Sequence, residues 1–211
     1  VGYHIKEIFY TLQGEGAMAG RPAVFCRFSG CNLWSGREED RSDAVCKFCD
    51  TDFRGTDGMN GGNYPDAERV AMKIASCWPD LSKGKPYVVC TGGEPLLQMD
   101  EAFTSALKKY GFEIAVETNG TMPLVDGIDW ICVSPKSTAT LLLTSGNELK
   151  LVYPQLDAPP SHFEHLAFNH FYLQPMDGIN GKRNEKETLY YCLKNPHWKM
   201  SVQIHKWLDI P

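Results

Sequence analysis

A chain of 211 residues with a formal net charge of −5 fits one sizeable domain and lacks the basic excess that a nucleic-acid duplex demands. No apolar run approaches the ~20 residues needed to span a bilayer, and the opening VGYHIKEIF lacks the layout of a signal peptide. Eight cysteines without marks of secretion predict a reducing, cytoplasmic setting, where clustered thiols serve metal or redox chemistry.

In chain order, YHIKEIFYT and RPAVFCRFS have strand character and flank the glycine-punctuated LQGEGAMAG. A polar stretch containing Arg37, Glu38, Glu39, Asp40 and Arg41 follows, and it predicts a solvated excursion. PDAERVAMKIASCW places Val70, Ala71, Ile74, Ala75 and Trp78 on one helical face, with Pro65 suited to the first turn. YVVCT predicts the next strand. DEAFTSALKKYG predicts a helix ending on Lys108 and Lys109, with Gly111 as its stop. Strands at IAVET, WICVS, ELKLVY and FYLQ come next, with too little sequence in NGTMPLVDGID and PKSTATLLLTSGN for full helices between them. A helix over EKETLYYCLKN, closed by Pro196, and a last strand at MSVQIH complete the pattern.

Alternating strands and helices predict an α/β fold with a parallel sheet and right-handed crossovers. The missing helices make it a pared-down, partial (β/α) barrel. Successive strands end in polar residues: Thr91 in TGGEP, Glu117 in ETNG, Ser134 in SPK, Gln174 in QPMDG, and His205. Carboxyl ends of parallel strands meet at one mouth, where such barrels keep their chemistry.

Cys31 stands apart from the tight pair Cys46 and Cys49, with fourteen residues between it and Cys46. A zinc site would need Cys26 as a fourth thiolate, but Cys26 lies within an alternating strand whose pleat dictates its direction. Three thiolates suit a cubic iron–sulfur cluster better, because the fourth iron keeps an open position. An open iron can chelate the amine and carboxylate of S-adenosylmethionine (SAM). Cys77, Cys90, Cys132 and Cys192 sit in apolar, periodic segments and read as small buried side chains.

The cluster loop followed by TGGEP resembles the radical SAM superfamily. Most of that superfamily spaces its cysteines C-x3-C-x2-C with an aromatic before the last, a place taken here by Phe48. The wide gap after Cys31 departs from that spacing and resembles one branch of the 7-carboxy-7-deazaguanine synthases. FYTLQGEG, FCRFSGCNLW, CDTDF, CTGGEP, ETNG, VSPK, LQPMDG and QIHKWLDIP extend the resemblance over nearly the whole chain. It implies one radical SAM domain over residues 1–211 with a cluster-loop insertion at about 32–62. The implied enzyme is a carbon–nitrogen lyase that contracts 6-carboxy-5,6,7,8-tetrahydropterin to 7-carboxy-7-deazaguanine with loss of ammonia, for queuosine and related deazapurines. A different radical SAM enzyme of the activase kind, and a non-enzymatic zinc-bearing module, are the alternatives.

By this resemblance, Cys31, Cys46 and Cys49 ligate a 4Fe-4S cluster and Thr51 ligates Mg²⁺, although the residues of CDT alone read as a capping turn. SAM would meet Phe48, Asp50, the glycines Gly92 and Gly93 with Glu94, then Ser134, Pro135 and Lys136, and finally Gln174, Pro175, Met176 and Asp177. The glycines would let the backbone approach the ligand closely. The pterin would meet Leu12, Gln13, Gly14, Glu15, Thr91, Glu117 and His205. Arg27 would take its carboxylate, with a strand-face ion pair as the plainer reading. Trp207, Leu208 and Ile210 would fold over the mouth and bring a free carboxylate on Pro211 to the pterin. The resemblance also implies a homodimer and an electron donor such as flavodoxin, with no nucleic acid and no membrane as partners.

Overall fold

The structure, a computed structural model, describes residues 2–211. Its strands are β1 (Tyr3–Leu12), β2 (Pro22–Phe28), β3 (Gly62–Tyr64), β4 (Tyr87–Gly92), β5 (Glu113–Thr118), β6 (Trp130–Val133), β7 (Ser145–Tyr153), β8 (Ala167–Pro175) and β9 (Lys199–Met200). The helices are α1 (Ala67–Cys77), α2 (Glu101–Lys109), α3 (Gly181–Lys194) and α4 (Ile204–Leu208). All strands join one nine-stranded sheet in the order β3-β1-β2-β4-β5-β6-β7-β8-β9. β1 runs antiparallel to β2 and β3, and from β2 onward every pairing is parallel. Hydrogen bonds do not close the sheet, so the architecture is the expected partial barrel.

Side-chain alternation sorts the sheet into two faces. Val24, Cys26 and Phe28 of β2, Val88 and Cys90 of β4, and Ile114 and Val116 of β5 point to the face covered by α1 and α2 and are fully buried. Leu149, Leu151 and Leu173 continue that layer toward Trp198. The intervening residues Arg27, Thr91, Glu117, Lys150 and Gln174 point to the concave face. A one-residue register shift would exchange the two sets, so the pleat itself fixes which face is polar.

The helices form much as the periodicity predicts. Asp66 caps α1 by accepting from Arg69 N, so Pro65 lies just outside the helix and not in its first turn. Trp78 falls beyond the last turn. Asp100 caps α2 by accepting from Phe103 N, and Gly111 follows the helix with φ +78°. α3 begins at Gly181, four residues before the expected Glu185. Its first turn is polar and carries no apolar periodicity, but Asn184 ties it down by donating to Met176 O at 2.7 Å. β3 is a glycine-bearing three-residue strand without a hydrophobic pattern, and it was not anticipated.

The last strand is the principal correction. MSVQIH contributes only Met200 to the sheet, and His205 lies in the five-residue helix α4. Ser201 N still donates to Leu173 O at 2.8 Å, after which the chain leaves the sheet edge. Ile204 N instead donates to Gly14 O at 3.0 Å, carrying the terminal segment across the mouth to the end of β1. Among the described residues no helix is long and apolar enough to cross a membrane.

Candidate active site

The carboxyl ends of the parallel strands enclose a cavity of about 450 Å³. Its walls come from β1, β2, the 29–61 loop, the ends of β4 to β8, and the terminal segment. Cys31, Cys46, Cys49, Phe48, Asp50 and Thr51 all line it, so the loop delivers its three thiols to the same space as the strand ends. Cys26 is fully buried on the opposite face, and the pleat excludes it from any shared site. Cys90 shares that face, and Cys132 is buried beneath the cavity floor against Glu148.

Around the thiols, the Cys46–Cys49 hydrogen bond holds the Cys49 thiol down at about 6 against the cost of burial and pushes Cys46 up. Burial raises Cys31, while the Leu33 N–H, 3.4 Å from its sulfur, opposes that rise. The polar run before Cys46 is not merely solvated. Arg41 folds back, donates to the carbonyls of Lys47 and Cys49 at 3.0 and 3.1 Å, and stacks 4.0 Å from the Trp34 ring. The insertion therefore braces the turn that carries Cys46 and Cys49.

Gly92 and Gly93 line the cavity, but their lack of a side chain answers to the protein itself. A Cβ on Gly92 would lie 2.4 Å from Phe28 O, and one on Gly93 would lie 1.9 Å from Gly30 O. This close approach seats the start of the cysteine loop on β4. Glu94 follows the two glycines, fully buried behind the lining residues, and accepts from Thr118 Oγ1 at 2.7 Å, Asn119 N at 2.8 Å and Leu96 N at 3.1 Å. Burial raises its pKa despite these donors. Gly93→Ala is expected to cost about 1–3 kcal/mol by overpacking. Its melting temperature should fall by about 2–4 °C per kcal/mol, and an unchanged melting temperature would refute this account of the glycine.

Ser134 and Lys136 line the cavity, and Lys136 Nζ reaches Ser134 Oγ while lying 5.9 Å from the Phe48 ring centre. Pro135 does not line it, and its carbonyl is held by Gln155. Gln174, Pro175, Met176 and Asp177 form the far wall.

On the other side stand Leu12, Gln13, Glu15, Arg27, Thr91, Glu117, His205 and Pro211. Gly14 lies behind them, and a Cβ there would come 2.3 Å from His205 Nδ1. The imidazole therefore packs directly on the Gly14 backbone, and its burial lowers its pKa. Arg27 Nε approaches Glu7 Oε1 at 2.9 Å, yet the angle is poor and this buried N–H has no hydrogen-bond partner. Arg27 lines the cavity, and its buried Nε faces Glu7 in the strand-face ion pair.

The terminal segment covers the opening differently from the expectation. Thr11 Oγ1 donates to Pro211 O at 3.1 Å, and Lys206 bridges Asp50 (3.2 Å) and Asp177. Trp207 is 85 % exposed and Leu208 is exposed as well, so polar contacts and not these apolar side chains hold the segment down. Only Ile210 among the three is partly covered.

Sequence reasoning missed Lys150, Gln203 and Lys206. Lys150 carried a signal: in ELKLVY, Glu148 and Lys150 alternate with Leu149 and Leu151, and charges on a strand buried on both faces must meet partners.

A partial (β/α) barrel whose mouth gathers three loop thiols beside a polar floor is the radical SAM class of enzyme. No family model matches the sequence. The 7-carboxy-7-deazaguanine synthase of Bradyrhizobium diazoefficiens is 60 % identical over the full length of both chains. That of Bordetella pertussis is 57 % identical over the same extent. The crystal structure of QueE from Escherichia coli superposes with a TM-score of 0.69 at 25 % identity, covering 96 % of this chain and 94 % of that one. The chain belongs to the 7-carboxy-7-deazaguanine synthase family.

Proposed function

We propose that this enzyme contracts the ring of 6-carboxy-5,6,7,8-tetrahydropterin to 7-carboxy-7-deazaguanine with release of ammonia, using a 4Fe-4S cluster, SAM and Mg²⁺. The observation that carries the reading is a single cavity lined by three loop thiols, an arginine and the two carboxylates Glu15 and Glu117. An anionic, donor-rich heterocycle matches that floor.

The donor set suits the cluster. Among the described residues no three His, Cys, Asp or Glu side chains converge as tightly as one ion requires. Thiolates that each take a different iron need no such convergence. Cys31, Cys46 and Cys49 would hold the cluster, and Phe48, Ser134, Lys136, Gln174 and Asp177 the SAM. Thr51 would offer Mg²⁺ a hydroxyl beside Asp50 and Asp52, with water and substrate completing its shell. When bound, these groups supply reductive carbon–sulfur cleavage and a carbon-centred radical.

The chain's own residues then orient and shield. Arg27 would take the substrate carboxylate through the end of its guanidinium. Glu15, Glu117 and the Gln13 and Leu12 backbone would meet the N–H edge of the ring. Thr91, His205 and Pro211 would close the space around it and keep water out, which a radical reaction requires. Cytoplasmic residence, an electron donor such as flavodoxin, a homodimer, and the absence of nucleic-acid or membrane partners belong to the same proposal.

Anaerobic reconstitution followed by incubation with SAM, a reductant and the carboxypterin should yield the deazaguanine by mass. Reductive SAM cleavage without that product would overturn the substrate assignment. Arg27→Lys should weaken carboxypterin binding about ten- to hundredfold, the equivalent of one charge-assisted hydrogen bond. Unchanged affinity would remove Arg27 from the carboxylate.

A further inference from the structure

In the cavity floor lies a charge arrangement centred on Lys150 of β7, which is only 5 % exposed. Its ammonium reaches Glu15, from the turn after β1, and Glu117 of β5 at 3.3 Å. Cys132 of β6 and Glu148 of β7 face it as well, and His205 of α4 lies within the field of Glu15, Lys206, Arg27 of β2 and Lys150 itself. Glu148 is already committed, since it accepts from Ala17 N at 2.8 Å and from the Cys132 thiol at 3.5 Å.

The remaining donors pin one side of each carboxylate. Gln13 Nε2 donates to Glu117 Oε1 at 3.0 Å, the same oxygen that meets Lys150. Gln174 and Gln203 donate to Glu15 Oε1 at 3.1 and 2.9 Å. Glu117 Oε2 meets only the Thr91 hydroxyl at 3.4 Å and keeps lone pairs for the cavity. Two neighbouring, partly buried carboxylates held near one point without a counter-ion favour sharing a proton. A carboxylic acid donates a hydrogen bond, whereas a carboxylate only accepts. Lys150 therefore decides what kind of floor the ligand meets.

We propose that Lys150 is a specificity-determining positioning residue, holding Glu15 and Glu117 as an acceptor-only floor that admits a flat ring edged with N–H and amino donors and rejects the same ring carrying an oxo group there. The inference rests on the assignment of the cavity to a pterin and deepens it. A site built for one hydrogen-bonding pattern discriminates strongly, because the wrong ligand leaves its buried polar groups unmatched.

The test compares 6-carboxytetrahydropterin with its 2-oxo counterpart, a carboxytetrahydrolumazine. Both are bound to the reconstituted holoenzyme with SAM and Mg²⁺ but no reductant, and equilibrium dialysis gives the dissociation constants. The unaltered enzyme should favour the amino ligand about a hundredfold or more. Lys150→Gln, which keeps N–H donors and removes the charge, should reduce that preference below about tenfold. Lys150→Arg should retain it. A Lys150→Gln enzyme that loses affinity for both ligands equally, with its preference intact, overturns the proposal, because Lys150 would then be only a packing element. Where Lys150→Gln does not fold, a folded Lys150→Arg enzyme without the preference overturns it too. An unaltered enzyme that binds neither ligand overturns the pterin assignment itself, and this inference with it.

Discussion

Replacing Cys31, Cys46 or Cys49 with Ala is expected to abolish the brown absorbance of the reconstituted protein and all reductive SAM cleavage. Each thiol lines the cavity from the loop, and the cluster has no spare ligand when three thiolates bind it. The control is Cys26→Ala. Cys26 shares a strand with Arg27, but its side chain lies fully buried among Val24, Phe28 and Cys90 on the helix-covered face. That variant should lose some stability from a small core deletion and keep its iron and sulfide. Iron and sulfide analysis beside the visible spectrum decides the matter. Cluster loss in Cys26→Ala, or retention in any of the three loop variants, would restore a different ligand set.

The sheet was legible because its alternation is strong. RPAVFCRFS and YVVCT each put apolar residues on one face and aim Arg27 and Thr91 to the other, so strand reading and site reading were the same act. The loop thiols stood out through the tight Cys46–Cys49 pair, while the wide gap after Cys31 left their expected role to the resemblance. What escaped notice depends on partners distant in the chain. Lys150 makes sense only once Glu15 and Glu117 are seen beside it, and Arg41 only once the carbonyls of Lys47 and Cys49 are. Glu94 shows the same dependence: nothing local in TGGEP reveals that Thr118 and Asn119 donate to its carboxylate. MSVQIH failed because β9 is an edge strand with a single neighbour, β8. Alternation there competes with the hydrogen bond that Gly14 O offers to Ile204 N.

That terminal segment supports the second large effect. Removing residues 203–211 is expected to lower turnover of the carboxypterin by at least about a hundredfold, the scale of a substrate misplaced by about 1 Å, while cluster content and uncoupled SAM cleavage persist. The reasons are local. Gln203 holds Glu15 at 2.9 Å, His205 rests on the Gly14 backbone, and Pro211 is tied to Thr11. All three lie at the floor and wall assigned to the pterin, none at the thiols. Lys206 differs, because its pairs with Asp50 and Asp177 join the segment to the two loops assigned to SAM. Both pairs are partly exposed, and such pairs contribute at most about 1 kcal/mol, so Lys206→Ala should change the Michaelis constant for SAM by only a few-fold. The comparison is therefore asymmetric: a large loss from deletion, a small one from Lys206→Ala. A truncated enzyme with native carboxypterin kinetics would show that the segment merely lies on the mouth, and that the cavity is closed from elsewhere.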